Sequence, residues 1–185
     1  MNGVIASPLG AVIAVGFACA IGSLLLWMFR VPKPVSADVA KARRSLDSAS
    51  LILVPTVGTP YARRGVELAC RLAQEQRAEL LLVYVIEVPR TLPLGTPMSQ
   101  ADKEAEAALT TAREVVVLHN LPVNTHVQRA REAGEGIISA AKDRRADLIV
   151  MGIGSRAQAS HLWGRTADAL LHRAPCEVIF DKLPE

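Results

Sequence analysis

The stretch "MGIGSRAQASHLWGRT", residues 151–166, follows an apolar run and carries three glycines, Gly152, Gly154 and Gly164. Glycines after a strand let backbone N–H groups come close to a phosphate, and a helix starting there adds the positive end of its dipole. Arg165 supplies a cation and Thr166 a hydroxyl at the same place. Arg156, His161 and Trp163 make the loop bulky for a phosphate cradle and well suited to a protein partner. Two chemistries therefore compete for one loop. Hydrolysis is not among them, because no carboxylate stands near the glycines except Asp168, which reads as a first-turn acid favoured by the helix dipole. No catalytic residue is assigned. Metal ligation has no support either, since the four histidines and three cysteines are not spaced as a ligand set. Cys19, Cys70 and Cys176 form no pair or CxxC and read as small apolar residues of a reducing compartment.

The elements that must position this loop follow from periodicity. "LILVP" at 51–55 reads as a buried strand, after which Thr59 caps a helix with Pro60 in its first turn. "ELLLVYVIEV" at 79–88 is a second buried strand. The segment from Ser99 opens a helix with Ser99 and Asp102 in capping-box spacing. "VNTHVQRA" at 123–130 alternates as an edge strand does, "GIISAAKDRR" at 136–145 is helical, and "ADLIVMG" at 146–152 is buried strand. "RTADALLHR" and "CEVIF" give a last helix and strand. Strands alternating with helices imply parallel β-α-β units. Residues 88–97, with three prolines, form an exposed loop beside the crevice. His119 ends a helix, His126 faces out of the edge strand, and His172 and Arg173 favour the last helical turn.

The amino-terminal part differs. Residues 1–29 contain no Asp, Glu, Lys, Arg or His, and Leu9 to Phe29 would span roughly 30 Å as a helix, one hydrocarbon core. A signal peptide would start with a positive segment, which is missing. The expected organisation is a transmembrane helix at 1–30, a linker at 31–49 and an α/β domain at 50–185. Arg30, Lys33, Lys41, Arg43 and Arg44 follow the span, so the positive-inside rule puts the domain in the cytoplasm, on a single pass of the inner membrane. Gly10, Ala14, Ala18 and Gly22 share one helical face, where another helix can approach closely. The net charge of +3 is scattered among acids, which argues against nucleic acid as a partner.

Over residues 50–181 the sequence resembles a universal stress protein domain. "LILVPTVGTPYARRGVELACRLA", "ADLIVMGIGS" and "WGRTADALLHRAPCEVIF" carry the likeness. The resemblance implies an α/β fold: a five-stranded parallel sheet of order 3-2-1-4-5 with helices on both faces. The ligand crevice would then lie at the carboxyl ends of strands 1 and 4. Many members bind ATP there through G-2x-G-9x-G-[ST]. Here Gly152 and Gly154 stand one residue too close, the nine-residue gap to Gly164 is kept, and Arg165 replaces the hydroxyl residue, with Thr166 one step later. ATP-binding relatives usually place an aspartate after strand 1, where this chain has Val57 between Thr56 and Gly58. An unpaired polar group of a ligand there costs about 1–3 kcal/mol.

Two functions follow as expectations. The first is a non-catalytic accessory or structural subunit on the cytoplasmic face of an integral membrane complex: a transporter, a respiratory assembly or a photosynthetic one. It would use Gly10, Ala14, Ala18, Gly22, Arg156, His161 and Trp163 toward its partner and the bilayer. The alternative is an adenine-nucleotide sensor, with Gly152, Gly154, Gly164, Arg165 and Thr166 holding phosphates and Thr56, Val57, Gly58 and Val85 lining the remainder. Family domains commonly dimerise along the last strand, and Val178 and Phe180 give that strand one apolar side.

Overall fold

The computed structural model describes residues 8–28, 49–154 and 164–182. The chain divides into two units, Met1–Arg43 and Arg44–Glu185. In the first, α1 (Pro8–Met28) is a single uncharged helix of 21 residues. It is long and apolar enough to cross a bilayer. Its side chains are apolar on every face, and Val12, Phe17, Leu24, Leu26 and Trp27 are exposed. Ala14, Ala18 and Gly22 recur at spacing four on one face with Gly10. Three small buried thiols are what the cysteine count suggests, but only Cys70 is buried; Cys176 is partly buried, and Cys19 is exposed because it lies on this helix.

The second unit is a parallel sheet of order β3-β2-β1-β4-β5 with helices on both faces, the expected fold class. Its elements are β1 (Leu51–Pro55), α2 (Pro60–Gln76), β2 (Glu79–Glu87), α3 (Ser99–Leu118), β3 (Val123–Ala130), α4 (Ala133–Arg144), β4 (Leu148–Ile153), α5 (Gly164–Arg173) and β5 (Glu177–Lys182). Strand side chains alternate between two cores. Ile52, Val54, Leu80, Leu82 and Val150 pack with Val66, Cys70 and Val116 of α2 and α3. Leu53, Leu81, Val83 and Ile149 pack with Ile137, Ile138 and Leu170 of α4 and α5. Central strands buried on both faces have no room for polar positions, so their sequences run continuously apolar. Burying one such Leu or Ile contributes about 1.5–3 kcal/mol.

The lower edge of the sheet, where its strands begin, is fastened by Asp147. Its Oδ2 accepts from the Ser50 N–H at 2.8 Å, the Ser50 hydroxyl at 2.7 Å and the Leu51 N–H at 3.1 Å. Burial pushes this carboxyl up, but the Ser50 hydroxyl and the two N–H groups outweigh it and hold it below the ordinary range.

Two helix starts and one cap differ from the sequence reading for reasons the structure shows. Helix α4 begins at Ala133, ahead of 136, and so includes Gly134 and Gly136. A side chain at Gly136 would stand 2.5 Å from Val85 Cγ1, and one at Gly134 would stand 2.7 Å from Ala169 Cβ. The helix accepts both glycines because packing there requires bare backbone. Helix α3 is capped by Met98, one residue ahead of the expected Ser99, and Asp102 Oδ2 accepts from the Met98 N–H at 3.3 Å. Thr59 occupies the cap position of α2, but its hydroxyl makes no capping bond.

Candidate functional site

Parallel strands end along one edge, and the crevice lies there. β1 hands on to Thr56, Val57 and Gly58. The Thr56 N–H donates to Val83 O at 2.9 Å, which joins this exit to β2. Thr56 is buried, and among the described residues its hydroxyl has no hydrogen-bond partner. Gly58 has φ +73°, a conformation that glycine adopts without strain. The turn leaves Val57 half-exposed at the mouth of a cavity of about 420 Å³.

That cavity takes the largest share of its lining from β2: Tyr84, Val85, Ile86 and Glu87. Ala101 and Glu104 add the first turns of α3, Ala133 the start of α4, and Thr166 the start of α5. Burial, and then the nearby Glu104 charge, push the Tyr84 phenol up. Glu87 has a second role. Its Oε1 accepts the Ala133 N–H at 2.7 Å, so a carboxylate from the end of β2 caps the first turn of α4.

Of the residues expected to hold a nucleotide, Val57, Val85 and Thr166 come together on this cavity. Arg165 joins Thr166 on a smaller adjoining hollow with Glu87 and Glu132. Gly164 has φ +72° and open space where a side chain would project. Gly152 and Gly154 have a different neighbour. A Cβ on Gly152 would stand 1.9 Å from Tyr61 O, and one on Gly154 would stand 3.1 Å from the Tyr61 ring. A Cβ on Gly65 of α2 would stand 2.7 Å from Gly152 N. These glycines let α2 lie directly on β4. Neither is among the described residues lining the cavity. The expected partner residues Arg156, His161 and Trp163 lie outside the described residues.

The sequence reading missed Tyr84, Glu87 and Glu104. It centred the crevice on the ends of strands 1 and 4 and took only Val85 from strand 2, while these come from strand 2 and the following helix. A glutamate directly after the buried run "LLLVYVI" was the available signal. Elsewhere in the domain, His119 Nε2 pairs with Glu67 Oε2 at 2.8 Å, and this bond leads the influences lowering the Glu67 carboxyl. Burial, and then the Glu67 charge, push the Cys70 thiol up to about 11, so it remains protonated and inert. Among the described residues, no group of three or more His, Cys, Asp or Glu is gathered as a metal requires.

Comparison with known proteins agrees with this geometry. The universal stress protein family pattern matches residues 50–182. A universal stress protein of Methanothermobacter thermautotrophicus is 29% identical over 138 residues, covering 69% of this chain and 91% of the relative. One from Thermus aquaticus is 31% identical over 131 residues, covering 69% and 95%. The structure of the Archaeoglobus fulgidus universal stress protein in complex with dAMP superposes with a TM-score of 0.57 at 19% identity, over 72% of this chain and 96% of that one. With the family pattern matched over most of the chain and the sheet order in agreement, the chain belongs to the universal stress protein family.

Proposed function

We propose that this is a membrane-anchored universal stress protein that works without catalysis, as an accessory or structural subunit on the cytoplasmic face of an integral membrane complex. One observation supports it above the others: α1 is 21 residues long, uncharged and apolar on every side. Such a helix needs lipid or other helices around it. The basic residues after it direct the stress-protein domain to the cytoplasm. The face of Gly10, Ala14, Ala18 and Gly22 gives a partner helix close access to the backbone. Gentle solubilisation of native membranes, followed by affinity isolation and mass measurement of the intact assembly, tests the proposal. Co-isolation with an integral membrane protein in fixed ratio is expected. Recovery as a lone monomer, or as a homodimer joined along β5, overturns it.

A second reading rests on the crevice. Val57, Val85 and Thr166 line one cavity of about 420 Å³, within the size range of small-molecule sites. The Archaeoglobus fulgidus protein is in complex with dAMP, which supports an adenine ligand for this chain. The chain would then sense that ligand and alter its contacts at the membrane. Calorimetric titration of the detergent-solubilised chain with adenine compounds tests this reading, and silence at millimolar ligand removes it.

A further inference from the structure

The sheet ends at β3, and that edge is open among the described residues. β3 runs beside β2 in unbroken register from Val123 to Ala130, with no bulge, proline or lysine to blunt it. On the β2 side, the Pro122 and Ala130 carbonyls accept from the Leu80 and Val88 N–H groups at 3.3 and 2.8 Å. Backbone direction alternates along a strand, so Val123, Thr125, Val127 and Arg129 turn their N–H and C=O groups outward. No carboxylate lies on the strand, and Asp102 pairs with Arg129. Two exposed apolar pairs flank the edge at opposite ends. Leu92 and Leu94 are exposed in the loop after β2, which Arg131 fastens beside the end of β3 by donating to Val88 O at 3.1 Å. Val117 and Leu118 are exposed on the last turn of α3, just before β3 begins.

We infer that a second copy of this chain pairs antiparallel with β3, continuing the sheet across a two-fold axis. One register pairs all four outward residues within the strand. It sets Thr125 opposite Val127 and Val123 opposite Arg129, each pair exchanging two N–H···O bonds, and it sets His126 opposite its own counterpart. Thr125 and Val127 are both β-branched, a favourable cross-strand pair. The same axis carries the loop end of each copy to the α3 end of the other. Leu92 and Leu94 then meet Val117 and Leu118, so one contact covers both exposed pairs and the open edge together. The pairing depends on neither functional reading given above.

Disulfide trapping on the full-length chain in detergent tests it. Opposite residues at a non-hydrogen-bonded position stand about 4.5 Å apart at Cα, within disulfide reach. His126→Cys should therefore give a covalent dimer under mild oxidation that the parent chain, with its own three cysteines, does not give. Asn124→Cys, whose counterpart would stand about 13 Å away, should give none beyond the parent. Adding Thr125→Pro to His126→Cys should cut the cross-linked fraction about tenfold or more, because proline removes an outward N–H and leaves the bonds to β2 in place. If that variant fails to fold, Val127→Lys takes its place, setting a charge in the contact from an exposed position. No cross-link at 126 beyond the parent, or equal cross-linking at 124 and 126, overturns the inference. So does a cross-link at 126 that persists in full with Thr125→Pro or Val127→Lys folded.

Discussion

Gly152 is the residue where packing decides most sharply. A methyl group there would meet Tyr61 O at 1.9 Å, and backbone cannot swing aside as a side chain does. Gly152→Ala should therefore cost about 3 kcal/mol, measured as a lowered midpoint in chemical denaturation. Gly95→Ala, where an added Cβ would meet nothing within 4 Å beyond its chain neighbours, should change the stability by less than about 0.5 kcal/mol. Asp147 makes a pH prediction. Its folded carboxyl titrates below the ordinary range, so its contribution is complete above that range and is lost as pH falls through the lowered value. Asp147→Asn should reduce stability at neutral pH and flatten the acid limb of the stability profile. A limb of unchanged slope would count against this account. Cys70, with its thiol raised to about 11, should resist alkylation at pH 7.5 in the folded protein and react after denaturation.

Among the elements, α2 and α4 both end on arginines in the left-handed region, Arg77 at φ 57° and Arg145 at φ 53°. A Cβ disfavours that backbone, so Arg77→Gly and Arg145→Gly should each stabilise the fold by about 0.5–1 kcal/mol, read from thermal unfolding. The same elements show what was legible beforehand. Strands such as "LILVP" declared themselves, because a doubly covered sheet forces an unbroken apolar run. The start of α4 did not, since Gly134 and Gly136 are poor helix formers in isolation and only their approach to Ala169 and Val85 explains them. Half of the crevice was legible for a similar reason. Val57 and Thr166 follow from strand ends and glycines, whereas Glu87 and Glu104 join the site through a crossover that no short motif records. Gly152 and Gly154 were visible as special, but which neighbour required them depended on α2 lying across β4.

For the whole molecule, the division into Met1–Arg43 and Arg44–Glu185 sets a simple expectation. Removing residues 1–30 should leave the stress-protein domain folded, since both of its cores are built from residues 49 onward. If α1 is the anchor proposed above, the same removal should move the chain from the carbonate-resistant membrane pellet to the supernatant. A truncated chain still resistant to extraction would show that something other than α1 holds it there. The attachment of Ser50 to Asp147 has a mechanical meaning for this arrangement. The polypeptide enters the sheet at the edge opposite the crevice, and β1 runs between β2 and β4. Tension applied at the amino end of this domain would load the Asp147 clamp first, then spread lengthwise as shear between three strands. The cavity at the far edge would keep its shape under traction.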